Sequence, residues 1–225
     1  MFDEEVMKTC YMCASPQTSD EHVPPKCIFP EKKDSPDAKD YRKGLIKVPS
    51  CNIHNSAKSK EDEFFLMYMA AIFTTSEAAS IHQNTKLIRI LERKPHVWIE
   101  LVKNSKPVQI IDEKGVKHQT CEFYLDPIRV SSQFDHIARG IHFYHFQEKW
   151  LNNISVHYLN GLKTDNQNIN KANSEIAFVL EATFSDKEKH GQNQEVFYYQ
   201  VMQDSSIKLI RAMFFEKVEV IFIYH

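Results

Sequence analysis

Two short pairs of metal-ligating residues constrain this chain more than anything else in it. The first is Cys10-Tyr-Met-Cys13 and the second is Cys51-Asn-Ile-His54. A tetrahedral zinc takes four N or S ligands, and residues two apart let a tight knuckle present both to one ion. Cys10, Cys13, Cys51 and His54 meet that demand. The competing reading is a set of unrelated cysteines, buried or idle. A disulfide framework is disfavoured, because the chain holds five Cys, an odd number, and Met1-Phe-Asp-Glu-Glu5 lacks a signal-peptide pattern. Cys27 and Cys121 are left over. Cys27 lies near enough to replace a ligand, but no paired spacing supports it.

Between the pairs stands Glu21-His22-Val-Pro-Pro25, and the second pair runs straight into Asn55 and then Lys58. Phosphodiester hydrolysis needs an attacking water, a base to deprotonate it and a cation to stabilise charge on phosphorus. His22 suits the base, since its unperturbed pKa lies near working pH. Glu21 and the amide oxygen of Asn55 are hard ligands, suited to Mg²⁺ or Mn²⁺ and less to zinc. Blander roles stand beside these: His22 as another zinc ligand or a surface His, Asn55 as a helix N-cap. Lys58 and Lys60 follow on the same predicted helix and either meet phosphate or belong to a solvated face with Glu61, Asp62 and Glu63. Lys26, Lys32, Lys33, Lys39, Arg42, Lys43 and Lys47 make the segment between the motif halves basic, as a polyanion site or an ordinary surface loop would be.

This stretch resembles an HNH endonuclease of the ββα-metal class, in the variant with zinc knuckles, over residues 8–64. The order, the spacing and the following Lys carry the resemblance. It implies that the acidic-His pair ends the first β-strand, and that the helix after the second zinc pair begins with His or Asn. It implies structural Zn²⁺ on Cys10, Cys13, Cys51 and His54. Glu21 and Asn55 would hold a catalytic Mg²⁺ or Mn²⁺, and His22 would activate the water. Lys26, Lys58 and Lys60 would touch nucleic acid, with double-stranded DNA preferred over RNA. The chain departs from the pattern twice. Glu21 stands where many members have Asp, and Gly44-Leu-Ile-Lys-Val48 lacks the central Asn that ties the loop to the catalytic His, which leaves open what orients His22.

Past the motif the chain changes character. Residues 64–73 read as a helix with almost no polar face, which must be buried on all sides. The expected organisation is an HNH-like region over 1–75 and an α+β region over 76–225 with an antiparallel sheet, serving as substrate clamp, dimer contact or partner surface. The shared burial of 64–73 predicts one core between them. Helical signals run from Ser80 to Arg93, and Pro95 breaks them. Residues 97–102 fit either helix or strand. Val108–Ile111 and Cys121–Leu125 read as a hairpin about Glu113-Lys-Gly115. A helix runs from Pro127 to Trp150, a strand over 154–158 and a helix over 174–184. Strands over 195–202, 206–215 and 218–224 form a meander. The His136, His142 and His145 series invites a second metal site, though an amphipathic helix with polar tips is the simpler reading. Arg139-Gly140 offers a ligand phosphate contact.

Hydrophobic residues make up 42% of the 225, enough for a real core. The net charge is −2, so nucleic-acid affinity would come from a local patch. No apolar run is long enough to span a membrane, and free Cys beside a zinc site point to a reducing cytoplasm. Three function classes follow: a metal-dependent endonuclease, a non-catalytic zinc-stapled nucleic-acid binding module, and a nuclease effector of an anti-phage or toxin system gated by a partner or signal. A homodimer or a partner protein is compatible with each.

Overall fold

The computed structural model describes residues 8–55, 59–72, 76–103, 105–111, 115–124, 126–160 and 166–225. Their architecture is α+β. Strands β1 (Ser19–His22) and β2 (Lys47–Ser50) pair antiparallel, with Ser19 opposite Ser50 and His22 opposite Lys47. Two 3₁₀ turns, Lys26–Ile28 and Lys32–Asp34, shape the connection between them. Helix α1 (Asn52–Asn55) follows at once, and α2 (Ser59–Ile72) carries the apolar run.

Helix α3 (Glu77–His82) is capped by Ser76, whose Oγ accepts from Ala79 N. It continues through a π-turn, Gln83–Leu87, into α4 (Ile88–Arg93). Pro95 does not simply end that helix. It opens another, α5 (Pro95–Lys103), because a proline lacks only an N–H that the first turn leaves unbonded anyway. Strands β3 (Ser105–Ile111) and β4 (Lys117–Phe123) form the expected hairpin, and most of its turn lies outside the described residues.

Helix α6 (Pro127–Phe146) starts on Asp126, whose carboxylate accepts from the N–H groups of Ile128 and Arg129. It ends four residues before Trp150. Gln147 turns left-handed at φ 55° and donates its N–H to Phe143 O, which closes the helix. Strand β5 (Ile154–Asn160) leads to α7 (Gln167–Phe184), seven residues longer at its start than the sequence predicts because Asn166 caps it. Strands β6 (Phe197–Gln203), β7 (Lys208–Phe214) and β8 (Val218–Tyr224) complete a four-stranded antiparallel sheet in the order β5-β8-β7-β6.

That sheet is covered on both faces, which is why β7 and β8 read as unbroken apolar runs. On one side Leu180 and Phe184 of α7 pack on Leu209 and Ile221. Arg211 ties this layer together, donating to Glu219 (2.6 Å), Glu181 of α7 (2.5 Å) and Gln200 (3.3 Å). The other side faces the main core. One buried cluster there joins Cys10, Val23 and Val48 of the hairpin region, Phe65 and Met69 of α2, Phe134 and Ile141 of α6, and Phe214 and Phe222 of the sheet. The core thus crosses residue 75. Phe65, Phe134 and Phe214 meet edge to face at 5.4–6.1 Å, an arrangement that aromatic quadrupoles favour. Gly140 lets α6 approach the end of β1: a Cβ there would lie 2.5 Å from a Val23 methyl carbon.

Candidate metal centre

The N-terminal knuckle folds back on itself through Cys10 N to Ser15 O and hangs on β2 through Tyr11 N to Pro49 O. This brings Cys10 and Cys13 over the start of α1, where His54 and Asn55 both donate backbone N–H to Cys51 O. The four ligand atoms converge. His54 Nδ1 lies 3.3 Å from Cys10 Sγ, 3.6 Å from Cys13 Sγ and 3.4 Å from Cys51 Sγ, and the Cys13 and Cys51 sulfurs are 3.9 Å apart. A zinc with bonds of about 2.3 Å to S and about 2.0 Å to N would set tetrahedral edges of about 3.5 Å for S···N and about 3.8 Å for S···S. The set fits zinc on these distances. It is the one cluster of three or more metal-ligating side chains among the described residues.

The protonation chemistry of the sulfurs is uneven. Hydrogen bonds from the Ser15 side chain and backbone pull Cys13 down to about 6, while burial pushes Cys10 up. Met12 N–H points at Cys10 Sγ at 3.4 Å, the bond a knuckle offers a thiolate. Cys27 takes no part. Its thiol donates to Asp62 O, and burial holds its pKa up at about 12. Cys121 is exposed on β4.

Around this staple the hairpin presents two faces, because successive strand residues alternate. Ser19, Glu21, Val48 and Ser50 point inward. Glu21 is only 5% exposed, accepts from Ser50 Oγ at 3.2 Å, and lies against Tyr11, whose phenol burial and the Glu21 charge together push well up. Asn55 reaches the same face: its Nδ2 donates to Ser19 Oγ (2.7 Å) and Asp20 O (3.4 Å). Asp20, His22 and Lys47 point outward. Burial and the charges of Lys26 and Lys47 lower the His22 pKa against the opposing pull of Asp20, which keeps the imidazole neutral near neutral pH. Glu21 and His22 therefore diverge to opposite faces where β1 ends.

No hydrogen bond holds the His22 ring among the described residues. Strand pairing places it instead, with Val23 N bonded to Ile46 O one residue on. Asn52, the nearest Asn to the missing central one, accepts from Thr18 Oγ1 at 3.0 Å and serves the start of α1. Lys26 is exposed beside His22. Lys58 lies outside the described residues, and Lys60 falls within α2.

The His series on α6 does not form a second centre. His136 donates Nδ1–H to Ser132 O, and its ring lies 6.1 Å from the His54 ring, tilted by 59°. His142 is buried between Glu148 O and Lys208. His145 lies beside Tyr199 and His190. Arg139 is committed to Asp135 and Trp150 O, so it is no free phosphate contact. Sequence reasoning gave no role to Tyr11 and Ser50 at Glu21, or to Lys149, which donates to Thr9 Oγ1 and Cys13 O and so fastens the knuckle to the end of α6. No sequence signal marks these contacts.

No described helix is long and apolar enough to cross a membrane. Protein-family models, curated proteins and solved structures give no match to this chain.

Proposed function

We propose that this chain is a metal-dependent endonuclease of HNH type that hydrolyses phosphodiester bonds, with double-stranded DNA as its substrate. The observation that carries the reading is the four-ligand Cys/His cluster that closes β1, β2 and α1 into one unit. That single staple carries Glu21, His22 and Asn55 with it. His22, neutral and half-buried, takes the proton of a water that attacks phosphorus. The P–O bond to the leaving oxygen breaks, and that oxygen gains a proton from solvent. Glu21 and the Oδ1 of Asn55 offer hard oxygen ligands for Mg²⁺ or Mn²⁺. Glu21 faces inward and His22 outward, so a phosphate served by both would lie across the end of β1, where the two side chains diverge. When bound, that ion would stabilise negative charge on the phosphate and leaving oxygen. The zinc set supplies folding energy and no chemistry.

A plasmid cleavage panel with Mg²⁺, Mn²⁺ and chelator tests the reading. His22→Ala should lower cleavage roughly 10²-fold or more while zinc content and melting temperature hold. Equal cleavage by parent and His22→Ala, or full activity in excess EDTA, rejects it. The burial of Glu21 against Ser50 favours a second reading, a non-catalytic zinc-stapled nucleic-acid binding module. DNA binding with no cleavage under any divalent ion would select that one.

A further inference from the structure

The basic segment between the motif halves divides into two kinds of cation. Lys33 pairs with Glu31 at 2.9 Å, Arg42 with Glu31 at 3.4 Å, Lys39 with Glu195, and nearby Arg89 with Asp34 at 2.6 Å. Lys26, Lys32, Lys43 and Lys47 form no ion pair among the described residues. All four are exposed, and of them Lys26 and Lys47 project charge onto His22. Lys47 has the more defined position: the β1–β2 register sets it directly opposite His22. Residues opposite one another on an antiparallel pair share a face with Cβ atoms about 5 Å apart. The acid that opposes them there is Asp20, which already accepts from Gln17 Nε2 at 2.7 Å.

Two ammonium groups and one carboxylate, Asp20, act on His22 and leave a net positive charge there. A phosphate placed against His22 would complement that charge. Lysine meets phosphate as a point charge on a flexible stem, so an exposed strand position suits it.

We infer that Lys47 is a phosphate-binding residue, holding a non-bridging oxygen of the nucleic-acid backbone at the end of β1 beside His22, with Lys26 adding positive charge nearby. This rests on the nuclease reading for the role of His22 but is tested separately from it. The contact is sequence-independent, so it adds affinity and register without base preference.

The test uses the full-length zinc-loaded chain. In a His22→Ala background, binding of a short DNA duplex is measured against salt concentration. Lys47→Gln should reduce the slope of log K against log salt by about 0.9, the loss of one phosphate contact, and Lys47→Arg should retain it. Lys33→Gln, whose cation is already paired, should leave the slope unchanged. In the parent background Lys47→Gln should lower kcat/KM about tenfold, the scale of one hydrogen bond to a charged group, with Lys47→Arg restoring most of it. An unchanged slope in Lys47→Gln overturns the proposal, as does a parent chain that binds no duplex at low salt. Cleavage that depends on His22 and ignores Lys47 removes this residue and leaves the nuclease reading intact. A Lys47-dependent slope without cleavage keeps the phosphate contact and removes the nuclease reading.

Discussion

The hairpin region and the C-terminal sheet are held together by different means. The hairpin has two strands of four residues, and the sheet has four strands of seven. A two-stranded pair that short cannot stand by itself in water. It is closed by four ligands, a few backbone bonds and the Lys149 tie. The sheet needs no such aid: its two faces bury Leu209 and Ile221 under α7 and Phe214 and Phe222 under α6. Converging ligands can thus close a hairpin too small to build its own core, provided a larger core lies against it.

Metal removal attacks this contrast most strongly. Structural zinc contributes about 10 kcal/mol or more to folding small sites. Chelation, or Cys51→Ser, should strip amide protection from residues 8–55 while β6–β8 stay protected, and elemental analysis should find one zinc per chain. Equal loss in both regions, or folded protein without zinc, breaks the contrast.

Phe134 lies where the regions meet. Phe134→Ala removes a fully buried ring in contact with both Phe65 and Phe214 and should cost about 4 kcal/mol. A denaturant titration followed by probes in the hairpin and in the sheet should shift together. Movement in the sheet alone would mean that the joint transmits less than its packing implies.

A smaller effect comes from acid. His82 of α3 donates Nε2–H to Ile28 O at 2.7 Å, and its Nδ1 is buried without a partner. Burial holds the imidazole neutral, with its pKa pulled from 6.5 down to about 4. The unfolded chain takes up that proton first as pH falls. Stability is therefore complete above pH 6.5 and drains away toward pH 4, by about 3 kcal/mol over the whole window. His82→Gln should flatten this slope in pH-dependent melting curves. An unchanged slope would assign the acid sensitivity to other groups.

What the sequence made legible follows the same division. The ligand set could be read from spacing alone, because two pairs at knuckle distance leave few other uses for those residues. The meander could be read from its β-branched and aromatic runs. The facing of Glu21 was harder: alternation separates it from His22, but the lid over it is Tyr11, placed by knuckle folding that no pattern announces. The difference between Lys47 and Lys33 was out of reach, since it depends on which cations find acids once the chain is packed. Helix ends failed for a local reason. Gln147 stops α6 in a left-handed turn, and Asn166 starts α7 before its apolar pattern begins.

The meeting of Phe65, Phe134 and Phe214 bears on how such a site can change over time. A motif that ends on its own polar surface is a cassette, free to be copied between unrelated proteins. This one ends on an aromatic ring that needs two others from distant parts of the same chain. Moved alone, it would carry an exposed phenyl group and lose Lys149, which fastens its knuckle. Its nearest functional variants should therefore arise by substitution within the whole chain, and the two halves should drift as a single lineage.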